Sequence, residues 1–181
     1  MRNKFDKLFN LIEREGKESL LKYLEESGYF TAPASGSYHL SREGGLLEHS
    51  VNVTELALDL AELLNLEVEK ESIIIAGLFH DLGKANYFGQ SHYVENILKS
   101  GKRSTAKPYE RNKEILPVPH EVSSIHILSQ YIELTEEETF AILYHNGLYT
   151  SIGYQLRGNE RPLQMLIHFA DMWASRVLEV D

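Results

Sequence analysis

This sequence predicts an all-α domain, and three observations carry that prediction. Apolar residues recur at three- and four-residue spacing through most of the chain. The stretches with this spacing are punctuated by glycine, by proline or by capping residues. No series of alternating apolar and polar residues marks strands, and neither a heptad run nor an internal repeat occurs. The expected architecture is a bundle of about seven to nine helices, interrupted by a long loop near 85–119.

The helices follow in chain order. Residues from about 4 to 28 read as two short helices, with Phe5, Leu8, Phe9 and Ile12 on one face and a break at Gly16. Leu20, Leu21 and Leu24 continue the face as far as Gly28. Tyr29 to Glu43 is a loop, and His39 within it reads as plain surface. Gly44-Gly45 precedes a strong helix from Leu46 to about Leu64, on which His49 shares a face with Val53, Leu56, Leu60 and Leu63. His49 therefore points inward. The next helix, Glu69 to about Lys84, is the most apolar and is expected at the centre.

The loop from Ala85 to Pro119 gathers Lys99, Lys102, Arg103, Lys107, Arg111 and Lys113 in an otherwise acidic chain, with Tyr87, Phe88, Tyr93 and Tyr109 among them. It reads either as a solvated charged loop or as a flap offering cations to phosphate and aromatic faces to a base or sugar. A helix then opens at His120 and runs to about Ile132, with Val122, Ile125, Leu128 and Ile132 as its core face. Thr135-Glu136-Glu137-Glu138 is a capping-box start for a helix that reaches His145-Asn146-Gly147. A second loop, Leu148 to Gly158, carries Arg157, with Arg161 just beyond it. The last helix, from Pro162 to about Glu179, places Leu163, Leu166, Ile167 and Ala170 toward the core, with Asp171 interrupting the apolar stretch.

Composition narrows the chemistry. At 181 residues the chain is long enough to bury a full core, and 43% hydrophobic with 25% charged residues is ordinary for a globular protein. A net charge of -9 argues against a general nucleic-acid coat. The chain has no cysteine, so disulfides, thiolate metal sites and cysteine nucleophiles are excluded. The polar N-terminus lacks the apolar core of a signal peptide, no run is long enough to span a bilayer, and the expected compartment is the cytoplasm. Neither G-x-x-x-x-G-K-[ST] nor G-x-G-x-x-G occurs, so no glycine loop cradles phosphate, and no serine sits in a G-x-S-x-G setting.

Leu78-Phe79-His80-Asp81-Leu82-Gly83-Lys84 sets an imidazole beside a carboxylate at the end of an apolar helix. Read alone, the pair is equally a solvated helix end with Gly83 as its stop signal or a site satisfied by a bound cation. His168 lies one turn before Asp171 and is either its orienting partner or an ordinary half-buried histidine. His49, His80-Asp81, His120, His145 and Asp171 form an ordered series, each on an expected core face or at a helix end.

That order resembles the HD superfamily of metal-dependent phosphohydrolases. Gly44-Gly45-Leu46-Leu47-Glu48-His49 looks like its first-histidine helix, Leu78-Phe79-His80-Asp81-Leu82-Gly83-Lys84 like its signature, and Ile167-His168-Phe169-Ala170-Asp171 like its last-aspartate helix. The resemblance implies an HD-type domain over 44–181 behind a helical arm and loop over 1–43, the whole forming one compact unit. It implies that His49, His80, Asp81 and Asp171 hold one metal, and that His120 and His145 hold a second bridged by Asp81. It looks most like the catalytic domain of oligoribonucleotide-degrading HD enzymes, with ligand spacing similar to that of enzymes splitting dinucleoside polyphosphates.

The chemistry agrees with the resemblance. Imidazoles and carboxylates suit one or two ions of Mn, Fe, Ni, Co or Zn better than Mg or Ca. Such an ion lowers the pKa of a bound water from about 16 toward about 7. Asp81 and Lys84 are the expected catalytic residues, and Lys84, Arg103, Arg111, Arg157 and Arg161 are the expected phosphate-binding cations. The expected reaction is hydrolysis of a phosphoester or phosphoanhydride in a nucleotide or short oligonucleotide. No long nucleic acid and no membrane partner is expected, and a homo-oligomer is compatible with the sequence. The alternative is a non-catalytic, metal- and nucleotide-binding regulatory module of the same family.

Overall fold

The computed structural model describes residues 1–180. Its helices are α1 (Arg2–Phe9), α2 (Lys17–Glu26), α3 (Gly45–Leu63), α4 (Lys70–Phe79), α5 (His120–Leu128), α6 (Glu136–Leu143) and α7 (Pro162–Trp173). A π turn over Ala174–Leu178 extends α7. Among the described residues no helix is long and apolar enough to cross a membrane.

α4 lies at the centre because it has no polar face. Every residue from Ser72 to Phe79 is buried. Fully burying each of Ile73, Ile74 and Ile75 contributes about 1.5–3 kcal/mol, so no arrangement leaving this helix at the surface competes. α3, α6 and α7 pack around it, with α1 at one edge. Phe5, Phe9, Ile12, Leu20 and Leu24 are buried in the same core as α3 and α4. Tyr29, fully buried, donates its hydroxyl to Leu78 O at 2.7 Å. α6 starts with the expected reciprocal cap between Thr135 and Glu138, and α7 has proline in its first turn.

The structure corrects four expectations about elements. α4 ends at Phe79, short of Lys84, and Leu82–Lys84 form a separate 3₁₀ turn. α5 stops at Leu128, and its buried face is Glu121, Ser123, Ser124, Ile127 and Leu128, leaving Val122 exposed. The small buried serines let the start of α5 approach the turn after α4. The α-geometry of α7 gives way to the π turn at Trp173, short of Glu179.

The fourth correction is that the segment near 85–119 is not structureless. It holds β1 (Asn86–Tyr87) paired antiparallel with β2 (Gln90–Ser91), and β3 (Tyr93–Glu95) paired antiparallel with β4 (Tyr109–Arg111). Phe88 and Gly89, both at positive φ, join β1 to β2, as a two-residue hairpin turn of the I′ kind requires. Strands of two or three residues are too short to show alternation, and Phe-Gly is not a usual turn pair, so neither signal was present to be read.

Candidate metal centre

Five elements converge on one point. His49 comes from the first third of α3, and His80-Asp81 from the end of α4. His120 opens α5, His145 follows α6, and Asp171 lies late in α7. His49, His80, Asp81 and His145 are almost fully buried.

The Asp81 carboxylate divides its two oxygens between two pairs of imidazoles. Oδ2 is 3.6 Å from Nε2 of His49 and 3.6 Å from Nε2 of His80. Those two nitrogens face each other at 3.2 Å, and Asp171 Oδ1 is 3.2 Å from His49 Nε2. On the other side, Oδ1 is 3.0 Å from Nε2 of His120 and 3.5 Å from Nε2 of His145, which are 3.4 Å apart.

The opposite nitrogens of these rings explain why all four Nε2 atoms point inward. His80 Nδ1 donates to Gly77 O at 2.9 Å, and His145 Nδ1 donates to Ile142 O at 2.8 Å. His49 Nδ1 donates to Glu179 Oε2 at 2.9 Å, and His120 Nδ1 faces Glu121 Oε2 at 3.4 Å. A carbonyl or carboxylate only accepts, so Nδ1 of His49, His80 and His145 carries the proton and Nε2 of each neutral ring offers a lone pair.

Facing lone pairs around a buried carboxylate fit a divalent cation. Asp81 Oδ1 is buried and, among the described residues, has no hydrogen-bond partner of good geometry. The groups His49–His80–Asp171, His80–Asp81–His145 and His120–Glu121–His145 each bring three donor atoms within ligand range. Nitrogen and oxygen donors of this kind suit a transition metal.

The site's electrostatics have the same origin. Burial alone would raise the Asp81 pKa, but Lys84 above all, with His80 and His120, holds it well below the carboxylate range. Burial drives His80 down to about 3. His49 goes the other way: burial opposes its charge, yet Asp171 and Glu179 outweigh that and raise it to about 10. In the metal-free protein the His49 proton therefore stands among the donors where a cation would.

Lys84 lies at the edge of the cluster with Nζ 2.5 Å from Asp81 Oδ2. Tyr93 and Arg111 are directly opposed in the β3–β4 ribbon and so share one face of it. Tyr93 lies near enough to Lys84, Asp81 and Arg111 to feel their charges, though burial is the larger effect and raises its pKa. The other cations named from the sequence are not brought there. Arg103 pairs with Glu95 at 3.2 Å and lies over the Tyr109 ring, and Arg157 lies over Tyr154. Arg161 pairs with Glu137 at 2.9 Å in the first turn of α6, the end away from His145. His168 donates through Nδ1 to His145 O at 2.7 Å and does not orient Asp171.

Two residues of this neighbourhood went unnamed or misjudged in the sequence. Glu179 is a lone acid between Leu178 and Val180, which was the available signal. His39, expected at the surface, is mostly buried with Nδ1 2.6 Å from Glu179 Oε2. No periodicity or motif marks a histidine inside a loop, so only the fold reveals it.

The model of the HD domain family matches residues 46–171, most of the chain. The chain belongs to the HD domain family. A dihydroneopterin 2',3'-cyclic phosphate phosphodiesterase of Methanocaldococcus jannaschii is 44% identical over 57 residues. That match covers 29% of this HD chain and 23% of the relative. No solved structure matches the chain.

Proposed function

We propose that this HD protein hydrolyses a phosphodiester of a nucleotide-like molecule. His49, His80, Asp81 and Asp171 hold one divalent cation in this reading, and Asp81, His120 and His145 hold a second. The observation that carries it is the division of Asp81 between two facing imidazole pairs, Oδ2 to one and Oδ1 to the other. The bound cations would supply an activated water and neutralise charge at phosphorus.

The chain's own residues do the rest. Asp81 fixes the spacing of the two ligand sets, because one rigid carboxylate serves both. Lys84 has three N–H donors, and its bond to Asp81 uses one, leaving others for a phosphate oxygen. Among the described residues Arg111 makes only a long contact of 3.4 Å to Leu116 O, so its guanidinium can turn to a second phosphate oxygen. Tyr93 beside it offers an aromatic face to a base or pterin ring.

The relative's name describes a five-membered cyclic phosphodiester on a heteroaromatic body. Ring opening of such a diester needs water added at phosphorus and one P–O bond broken, with the leaving oxygen retained in the product. A 2',3'-cyclic nucleotide is therefore the first substrate to test, followed by short oligonucleotides. The assay is hydrolysis of 2',3'-cyclic AMP and of bis-p-nitrophenyl phosphate with Mn²⁺, Fe²⁺, Co²⁺, Ni²⁺ or Zn²⁺. Turnover that vanishes in Asp81→Ala is expected. Metal bound at the cluster with no turnover of any phosphodiester would refute hydrolysis and favour a binding module.

A further inference from the structure

Behind His49, on the side away from Asp81, lies a second arrangement that the proposed chemistry does not use. Glu179 is buried after the π turn, its backbone N–H held by Ala174 O at 3.0 Å. Its carboxylate accepts from three donors: His49 Nδ1 at 2.9 Å, His39 Nδ1 at 2.6 Å and Asn52 Nδ2 at 2.9 Å. The His39 and His49 rings meet edge to face, with centroids 4.8 Å apart. Both His39 and Glu179 lie outside the residues matched by the family model.

We propose that Glu179 is a positioning residue for the metal centre, and that His39 and Asn52 hold it in place. Glu179 fixes His49 as the Nδ1–H tautomer and aims its Nε2 lone pair at the cation. The reasoning is one of donor and acceptor inventory. A buried ionised carboxylate can only accept, so the ring facing it must donate. The proton on Nδ1 leaves Nε2 as the only free lone pair of the neutral ring. His39 and Asn52 approach the same carboxylate from other directions and prevent it from rotating away. Without Glu179, His49 can adopt the other tautomer, donate from Nε2 to Asp171 and turn its lone pair from the site. Outer partners of this kind change metal affinity by about 10–100-fold. Only the ion on the His49 side should respond, because the rings of His120 and His145 are oriented by other groups.

This inference rests on the reading of His49 as a metal ligand, and the experiment separates the two. The protein of residues 1–181 is loaded with Zn²⁺, and release into an excess of a chromogenic chelator is followed at pH 8. Glu179→Ala should release one ion about 10–100-fold faster, with the other unchanged. Glu179→Gln, which keeps an acceptor oxygen, should fall between the two. In ¹⁵N-labelled, Zn²⁺-loaded wild type, the His49 ring should show a protonated Nδ1 and a metal-bound Nε2. A wild-type His49 protonated at Nε2 would overturn the inference without any variant, as would release from a folded Glu179→Ala within twofold of wild type. Equal acceleration of both ions would also overturn it. Failure of wild type to bind any zinc would instead remove the ligand reading itself.

Discussion

Asp81 is the residue whose loss is felt on both sides at once. It is buried, and a carboxylate so placed is tolerated only while cations surround it. Asp81→Ala should abolish metal content and turnover together, read by elemental analysis and by the phosphodiester assay. Metal binding should also release a proton. His49 is raised to about 10 in the metal-free protein, so near neutral pH a cation must displace the proton it carries. Calorimetric titration with Zn²⁺ in two buffers of different ionisation enthalpy should show about one proton released from this ring, and a buffer-independent heat would exclude it. Acid sensitivity has the opposite sign. Burial first, then His120, Arg111 and Lys84, lowers His92 to about 4. An unfolded histidine binds its proton near pH 6.5, so between about 6.5 and 4 the unfolded chain holds more protons than the folded one. Stability contributed by neutral His92 and His80 is complete above that window and falls as the pH drops through it. Thermal melts in chelator from pH 7 to pH 4.5 should show this decline, and His92→Gln should make it shallower.

At the scale of elements, the turn after α4 governs how the two halves of the site meet. A Cβ on Gly83 would lie 2.4 Å from His120 O and 2.7 Å from Ser123 Cβ, so only glycine lets α5 come this close. Ser124 completes the joint: its hydroxyl accepts from Gly83 N–H at 2.8 Å and lies 2.9 Å from His80 O and 2.8 Å from His120 O. Ser124→Ala leaves the buried Gly83 N–H without a partner and should cost about 1–3 kcal/mol in urea unfolding. Gly83→Ala should cost a similar amount by overpacking, and should weaken the ion on the His120 side more than the one on the His49 side. This joint also explains which boundaries were legible. The start of α6 was written in Thr135 and Glu138, whose cap is local. The turn after α4 is tied by Ser124, more than forty residues away, a contact that no local window of sequence contains. The ribbons near 85–119 were hidden for a related reason: their pairing is made between short segments, with Asn112 Nδ2 tied to Ser91 O across the loop.

For the whole molecule, the ordered series of histidines and aspartates was visible because His49, His80-Asp81 and Asp171 interrupt apolar helices, where a polar residue is conspicuous, and His120 and His145 stand at helix ends. The cations around it were not, since a surface arginine looks the same whether it faces phosphate or, like Arg161, a neighbouring glutamate. The N-terminal helices are joined to the rest by more than their apolar face. Arg14, between α1 and α2, donates through Nη2 to Glu138 Oε1 at 2.7 Å and through Nε to Glu71 Oε2 at 3.0 Å. Glu138 is fully buried, accepts from Ser72 at 2.7 Å and caps α6, so one guanidinium links the N-terminal helices to both α4 and α6. Removing that guanidinium strands a buried carboxylate. Arg14→Met should therefore cost about 3–5 kcal/mol, far more than the loss of a surface ion pair. Arg14→Met with Glu138→Gln should recover part of that loss, because the charge left without a partner is gone. Urea unfolding of the single and double variants checks the cycle. A cost under about 1 kcal/mol for Arg14→Met would mean that the N-terminal helices are held by their apolar face alone.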